Sequence, residues 1–231
     1  MTAPSVATAA PDVPDRRVPL SRLRKAVVRT VVASASVPQF TVERTVDVRA
    51  VQRLRAAAGR SFSLSDALTA ATAAGLAGHR RLNASWTEDG ILEHGAINVG
   101  LAVAVDDGLL VPAIRHADRL TLGQLAAERV RLTAAARAGT LRPEEVFSTT
   151  FTVSNLGPHG VHRFRALVLP PQAAILAVGA VVDGRLELAL SCDHRVVDGA
   201  PAAGFLAEVA DRLEGPTGLR GAPTDAPEAV S

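Results

Sequence analysis

Residues 191–200 read SCDHRVVDGA and form a compact signature near the C-terminal end of the chain. The preceding residues 186–190, LELAL, alternate apolar with other side chains, which is typical of a half-buried strand. Five apolar residues after the signature recur at the spacing of one helical face: Ala202, Phe205, Leu206, Val209 and Leu213. The sequence therefore predicts a strand, a short turn and a helix.

Two residues of this turn can carry chemistry. His194 follows the strand, and Asp198 stands four residues later, where the N-cap of the helix belongs. A histidine held between two rigid elements is well placed to accept and return a proton. In the alternative interpretation, His194 only packs against its neighbours and Asp198 only caps the helix. The motif is too short to decide between the two.

The composition limits the class of protein. The 231 residues are 48% apolar, enough for one large domain or two small ones with a sizeable core. A run of about 18 apolar residues, as a membrane span needs, is absent from the sequence. The N-terminus also lacks the pattern of a secretory signal. We therefore expect no membrane partner and a cytoplasmic location.

Cysteine and histidine usage argues against a metal site. Cys192 is the single cysteine, which excludes an intramolecular disulfide and a cysteine-based metal site. Because neighbouring strand residues point to opposite faces, we predict a buried thiol at Cys192 rather than a nucleophile. The other histidines lack metal-ligand spacing: His79, His94, His116, His159 and His162.

The charge pattern argues against nucleic acid as a partner. The formal net charge is only +2, and Lys25 is the sole lysine. The arginines are dispersed and often adjoin acidic residues, which is typical of a solvated surface. Tyrosine is absent and aromatic residues make up 3%, so platforms for base stacking are also missing.

The rest of the chain predicts a disordered tail over 1–15, one folded domain over 16–215 and a second disordered tail over 216–231. Both tails are rich in Ala, Pro or Gly, and the second contains a single leucine, Leu219.

Within the domain, helical patterns follow Ser21, Asp47 and Ser65, and Thr121 with Gln124 forms a capping box before another helix. Strands are predicted near 39–46, 97–105, 109–114, 150–154, 174–182 and 187–191. The elements do not alternate regularly, which favours a layered α/β domain with a mixed β-sheet packed against helices.

Several segments in order resemble one known family: VPLSRLRKA at 18–26, RLNAS at 81–85, NVGLAVA at 98–104, GLLVPAI at 108–114, AGTLRPEE at 138–145, TFTVSNLG at 150–157, PPQAAILAVG at 170–179 and DHRVVDGA at 193–200. They resemble the catalytic domain of the dihydrolipoamide acyltransferases, the E2 components of 2-oxoacid dehydrogenase complexes. A more distant resemblance is to chloramphenicol acetyltransferase. One such segment is weak evidence, whereas the ordered series is strong.

The resemblance implies an acyltransferase catalytic domain over 16–215 with the two-layer chloramphenicol acetyltransferase-like α/β fold. It also implies a homotrimer whose active sites lie between subunits, and acetyl-CoA as a co-substrate, with no tightly bound cofactor. Carried over to this chain, His194 is the general base and Ser154 stabilises the oxyanion. Asp198 orients the turn through an arginine such as Arg24.

Departures from the family favour one acceptor over another. The chain has no lipoyl segment, its one lysine lies in a helical pattern, and Leu169 stands where the family usually has asparagine. A lysine common in the family's third helix is missing near Thr69. These features lead us to expect a free-standing enzyme that acetylates a hydroxyl of a small-molecule acceptor, such as a tetronate-type intermediate of secondary metabolite biosynthesis. The alternatives are a dihydrolipoamide S-acetyltransferase core and an inactive structural scaffold.

We expect the trimer that the resemblance implies to be free rather than part of a cage. In the family, an apolar C-terminal segment docks one trimer into the next to form cages. Residues 216–231 offer no comparable apolar segment, so little surface is available to offset the entropy lost on docking.

Overall fold

The structure, a computed structural model, describes residues 15–219. Its helices are α1 Arg22–Ala35, α2 Arg49–Ala57, α3 Leu64–Gly78, α4 Leu122–Ala138, α5 Pro143–Phe147 and α6 Gly199–Glu214. Its strands are β1 Gln39–Asp47, β2 Ala84–Thr87, β3 Gly90–Glu93, β4 Val99–Leu101, β5 Val103–Val105, β6 Gly108–Leu110, β7 Ala113–Ile114, β8 Phe151–Asn155, β9 Ala174–Val178 and β10 Arg185–Asp193. No described helix is long and apolar enough to cross a membrane.

Six strands form one sheet in the order β1-β10-β9-β8-β4-β7, and β2–β3 and β5–β6 form two separate hairpins. Strands β4, β8 and β9 run parallel to one another, while β10, β1 and β7 run antiparallel to their neighbours. Helix α6 packs on β1 and on α3. The expected mixed sheet packed against helices is therefore confirmed.

The core lies between this sheet and helices α3 and α6. The ring centres of Phe151 on β8 and Phe205 on α6 are 5.7 Å apart, and both side chains are fully buried. Strand β10 is buried on both faces from Leu188 onward, so the predicted half-buried strand is wrong there. Cys192 is buried as predicted, and its burial raises the pKa of the thiol to about 12.

Local signals place most helix ends. Thr121 and Gln124 form the predicted capping box of α4, and Gly139 ends that helix with φ of 68°. Helix α3 begins earlier than predicted, since Ser63 rather than Ser65 is its N-cap. The Ser63 hydroxyl accepts a hydrogen bond from the Asp66 backbone N–H, so α3 begins directly after Ser63.

The two long strands predicted at 97–105 and 109–114 are each broken. Strands β4 and β7 belong to the main sheet, whereas β5 and β6 form their own hairpin. Pro112 lies between β6 and β7 and has no N–H to continue the ladder, although its carbonyl accepts from Leu101 N–H at 3.0 Å. The residues between Leu101 and Pro112 therefore lie outside the main sheet, where β5 and β6 pair only with each other.

The predicted C-terminal tail begins with ordered residues. Pro216–Gly218 form a 3₁₀ helix, and the side chain of Leu219 is packed in the core with 4% exposure. The boundary predicted at 215 is therefore too early, because the one leucine of this segment completes the core. The remainder of both predicted tails, 1–14 and 220–231, lies outside the described residues.

Candidate active site

The turn after β10 is fixed by Asp193, whose side chain is almost fully buried. Its carboxylate accepts a hydrogen bond from the Arg195 backbone N–H at 2.9 Å and from the Arg195 guanidinium at 2.7 Å. Its carbonyl accepts from the backbone N–H groups of Val196 and Val197, each at 3.0 Å. These bonds specify the backbone path on both sides of His194, as a preorganised catalytic turn requires.

His194 lies on this turn with its imidazole accessible. Its backbone N–H donates to the Pro38 carbonyl at 2.8 Å, and its ring packs on Phe40 with centroids 4.7 Å apart. The side chain is 53% exposed, so one face is supported while a ring edge reaches solvent. A substrate can therefore approach a histidine whose position is already set.

Asp198 occupies the N-cap position of α6, but its side chain does not cap the helix. The backbone is extended at φ −94° and ψ 168°, yet the carboxylate accepts no hydrogen bond from the described N–H groups of the first turn. Instead, Oδ1 lies 3.6 Å from Nδ1 of His194, and the side chain is 83% exposed. The predicted cap is wrong, because the carboxylate turns back toward the imidazole.

The predicted contact between Asp198 and Arg24 is also not formed within one chain. The Arg24 guanidinium lies 3.8 Å from the Asp107 carboxylate, in the turn between β5 and β6. This ion pair is exposed on both sides and joins α1 to that hairpin, which packs on α1.

Asp198→Asn is expected to leave the free energy of unfolding unchanged within about 0.5 kcal/mol. The reason is that the Asp198 side chain is exposed and forms no cap bond that the substitution could remove. A thermal or urea melt measures this. Thr121→Ala is the matched control: it removes a true cap of α4 and is expected to cost about 1 kcal/mol. A loss for Asp198→Asn equal to that of the control would show that Asp198 caps α6 after all.

Ser154 lies near the end of β8 with a free hydroxyl. It is partly buried, and its Oγ forms no hydrogen bond with any of residues 15–219. Its neighbour Asn155 is fixed on both sides: Nδ2 donates to the Ser65 hydroxyl at 3.1 Å, and Oδ1 accepts from Gly157 N–H at 2.8 Å. The backbone around Ser154 is thus held, while its hydroxyl stays available to a ligand.

The loop that follows Ser154 packs directly on backbone. Leu156 N–H donates to the Val178 carbonyl at 3.1 Å, and Ala180 N–H donates to the Val161 carbonyl at 2.7 Å. Between these bonds, a Cβ on Gly179 would collide with the carbonyl of His162. Glycine at 179 is therefore required for this close approach.

Gly179→Ala is expected to lower the free energy of unfolding by at least about 2 kcal/mol, because the collision is with backbone and cannot be relieved by a rotamer change. A urea titration measures the effect. Gly123→Ala is the control, since a Cβ on Gly123 in α4 meets no atom within 4 Å and alanine favours the helix. Equal stability of the two variants would show that the loop moves away from Gly179.

Within one chain, Ser154 and His194 do not share a site. The register aligns Ser154 with Ala177 on β9 and Ala177 with Ala189 on β10. His194 lies five residues beyond Ala189, about 16 Å along the strand, and two strand spacings, about 10 Å, separate β8 from β10. The two predicted site residues are therefore held at different ends of the sheet.

Sequence reasoning missed the contact that ties the turn to a hairpin. The guanidinium carbon of Arg195 lies 4.1 Å from the ring centroid of Trp86 on β2, while its nitrogens bind Asp193. The hydrogen bonds to Asp193 raise the Arg195 pKa. The only sequence signals were the position of Arg195 beside His194 and the presence of a single tryptophan.

The described residues include no group of three or more His, Cys, Asp or Glu that could hold a metal ion. The turn itself presents the His194 imidazole, the Asp198 carboxylate and backbone groups.

The family model and the curated relatives that match this chain indicate the same family. The model of the 2-oxoacid dehydrogenases acyltransferase (catalytic domain) matches residues 13–220. An acetyltransferase component of an Arabidopsis thaliana mitochondrial pyruvate dehydrogenase complex is 36% identical, over 87% of this chain and 42% of the relative. The corresponding Zymomonas mobilis component is 32% identical, over 90% of this chain and 52% of the relative. The chain thus spans about half the length of these curated relatives.

Solved structures agree. Azotobacter vinelandii dihydrolipoamide acetyltransferase superposes with a TM-score of 0.82 at 30% identity, over 92% of this chain and 99% of that one. The Thermoplasma acidophilum 2-oxoacid dehydrogenase catalytic core gives 0.83 at 30% identity, over 87% and 99%. A chloramphenicol acetyltransferase, with a TM-score of 0.54 and 15% identity over 80% of this chain and 94% of that one, shows the shared fold.

These relatives correct the expected acceptor. The Arabidopsis and Zymomonas relatives are named dihydrolipoyllysine-residue acetyltransferases and the Azotobacter one a dihydrolipoamide acetyltransferase, so the expectation of O-acetylation of a small-molecule hydroxyl in secondary metabolism is wrong. The departures at Leu169 and near Thr69 do not outweigh similarity over almost the whole domain. With the family model matched from residue 13 to residue 220, this chain belongs to the 2-oxoacid dehydrogenase acyltransferase catalytic-domain family.

Proposed function

We propose that this chain transfers an acetyl group between coenzyme A and a thiol of a dihydrolipoyl group. The proposal rests on the exposed His194 imidazole, which lies on a turn held by hydrogen bonds to Asp193, in a chain whose relatives are dihydrolipoyllysine acetyltransferases. A thioester is already activated, so the enzyme needs only to deprotonate the attacking thiol and stabilise the oxyanion.

His194 is the general base in this proposal. The Asp198 carboxylate beside Nδ1 favours the tautomer with its proton on Nδ1, which leaves the Nε2 lone pair free to accept the thiol proton. The Azotobacter enzyme was studied for the catalytic roles of a serine, a histidine and an asparagine, the last two being four residues apart. In this chain, Asp198 stands at the same interval of four residues after His194.

The acetyl group passes directly from one sulfur to the other, without a covalent enzyme intermediate. Nε2 of His194 takes the proton as the dihydrolipoyl sulfur attacks the thioester carbonyl, and the Ser154 hydroxyl donates a hydrogen bond to the oxyanion. The intermediate collapses as the C–S bond to coenzyme A breaks, and the imidazolium returns its proton to the departing thiolate. Acetyl-CoA is thus a co-substrate.

The active site is shared between subunits of a homotrimer in this proposal. His194 and Ser154 are too far apart to act on one thioester within a chain, so the serine comes from a neighbour. Helix α1 supports this: only Ser34 of its residues is buried, and Val28, Val31 and Val32 are 43%, 45% and 66% exposed. Another copy of the chain can cover that apolar face.

The test is acetyl transfer from acetyl-CoA to dihydrolipoamide, followed as thioester formation. The proposal expects turnover that depends on dihydrolipoamide and releases free coenzyme A in equal amount. Absence of transfer by the folded protein to dihydrolipoamide, free or attached to a lipoyl domain, would contradict it. The cytoplasmic location expected from the sequence stays a prediction.

A further inference from the structure

The β2–β3 hairpin carries the single tryptophan of the chain, Trp86, in contact with the turn that holds His194. The guanidinium carbon of Arg195 lies 4.1 Å from the centre of the indole ring. Trp86 is partly buried against the core, and the Arg195 side chain is 31% exposed. A guanidinium over an indole face is attracted by the ring, and the attraction grows as water is excluded. The hairpin therefore restrains Arg195 from one side.

The same guanidinium is held along its edge by a second partner. Its Nε donates to Oδ1 of the buried Asp193 carboxylate at 2.9 Å, and a second nitrogen donates to Oδ2 at 2.7 Å. These two bonds fix the plane of the guanidinium group, and the indole of Trp86 covers one face of that plane. Edge and face together restrict Arg195 to one orientation.

The position of Arg195 affects His194, its neighbour in the chain. The backbone N–H of Arg195 binds the same Asp193 carboxylate as its guanidinium, at 2.9 Å. On the other side, the backbone N–H of His194 donates to the Pro38 carbonyl at 2.8 Å. A shift of the guanidinium would pull on the carboxylate that fixes the turn, and the backbone that carries the imidazole would follow.

The hairpin is a fixed support rather than a loose loop. The Ala84 carbonyl on β2 accepts from Ala173 N–H, and the Ala173 carbonyl accepts from Asp193 N–H, both at 2.8 Å. A further contact crosses the hairpin, since the Ser85 hydroxyl lies 2.8 Å from Nε2 of His94. Backbone bonds therefore connect β2 to the start of the turn, so the ring two residues beyond Ala84 is held at a set distance from it.

We propose that Trp86 is a positioning residue for acetyl transfer: by stacking on Arg195, it keeps the His194 imidazole in the orientation in which Nε2 accepts the thiol proton. Trp86 acts through Arg195 and touches no reacting atom. The inference rests on the proposed function, because this orientation matters for the rate only if His194 is the base. A displacement of a reacting group by about 1 Å can cost about 10²-fold in rate.

The first experiment is steady-state kinetics with acetyl-CoA and dihydrolipoamide, with a thermal melt to check the fold. Trp86→Ala is expected to lower kcat at least about tenfold and to leave the Michaelis constants unchanged, because the chemical step suffers and substrate binding does not. Trp86→Phe keeps an aromatic face for Arg195 and is expected to recover most of the rate. Leu92→Ala is the control on the same hairpin, since Leu92 is 54% exposed, and wild-type kinetics are expected.

Trp86→Leu separates stacking from packing and carries the test if Trp86→Ala does not fold. It keeps an apolar side chain on the hairpin but has no aromatic face, so it is expected to resemble Trp86→Ala rather than Trp86→Phe in kcat. Wild-type kcat in a folded Trp86→Leu, or a raised Michaelis constant with unchanged kcat, would overturn the proposal. The second result would assign Trp86 to substrate binding.

A double-mutant cycle tests whether Trp86 acts through Arg195. Arg195→Lys keeps the positive charge but loses the planar group that stacks on Trp86 and binds Asp193 at two points. We expect Trp86→Leu to cost little further rate once Arg195→Lys is present. Losses that multiply independently would overturn the proposal.

The ¹⁵N spectrum of the histidine ring nitrogens follows His194 without turnover, because it reports which nitrogen carries the proton. The tautomer is set by the partner of each nitrogen, here the Asp198 carboxylate near Nδ1. The wild-type protein and Trp86→Phe are expected to show one tautomer, protonated on Nδ1, and Trp86→Leu a mixture. The same tautomer in Trp86→Leu, or a mixture in the wild type, would overturn the proposal. The expected spectra in a protein that transfers no acetyl group would contradict only the proposed function.

Discussion

His194→Ala is expected to lower the turnover of acetyl transfer by at least about 10²-fold, and by up to about 10⁴-fold, because the attacking thiol loses its base. The fold should survive the change. The ring is half exposed, and the turn is held by the backbone of His194 and by Asp193, which the substitution leaves intact.

Steady-state kinetics with acetyl-CoA and dihydrolipoamide measures the effect, and a thermal melt checks the fold. Raising the pH supplies more dihydrolipoamide thiolate and is expected to recover part of the lost rate, since a preformed thiolate needs no base. Turnover by His194→Ala close to that of the wild type would remove the mechanism.

Ser154→Ala is expected to reduce kcat about 10²- to 10³-fold, because one hydrogen bond to the oxyanion is lost. The Michaelis constants should change little, since that bond forms in the transition state rather than with the bound thioester. The hydroxyl has no described hydrogen-bond partner to lose, so stability should also be unchanged.

Ser154→Thr is the matched variant, because it keeps a hydroxyl at a strand position that tolerates a β-branched side chain. It is expected to retain more activity than Ser154→Ala. A loss of substrate affinity with unchanged kcat in Ser154→Ala would assign Ser154 to binding rather than to transition-state stabilisation.

Features encoded within a few residues could be predicted from the sequence. The turn at 191–200 and the capping box at Thr121 and Gln124 depend on short-range spacing, and the structure confirms both. The orientation of the Asp198 side chain could not be predicted, because an N-cap pattern specifies the backbone position and not the preferred partner. The His194 imidazole competes with the helix N–H groups for the Asp198 carboxylate, and an N-cap pattern contains no information about that competition.

Features that join distant segments could not be predicted. The stacking of Arg195 on Trp86 joins residues 109 positions apart in the chain, and the burial of Asp193 depends on the position of β10 between β1 and β9 in the sheet. Pro112 could be seen in the sequence, but whether a proline interrupts a strand depends on which neighbouring strand would pair with that residue. The separation of His194 from Ser154 follows only from the register of three strands.

We propose that each active site takes His194 from one subunit and Ser154 from its neighbour. Mixing the two inactive variants tests it most directly: His194→Ala and Ser154→Ala are co-expressed, purified as mixed trimers, and assayed for acetyl transfer. In every mixed trimer, one of the three interfaces pairs an intact histidine with an intact serine, so we expect about a third of wild-type turnover. Activity no higher than that of the separate variants, in proteins shown to be mixed trimers, would contradict the shared site.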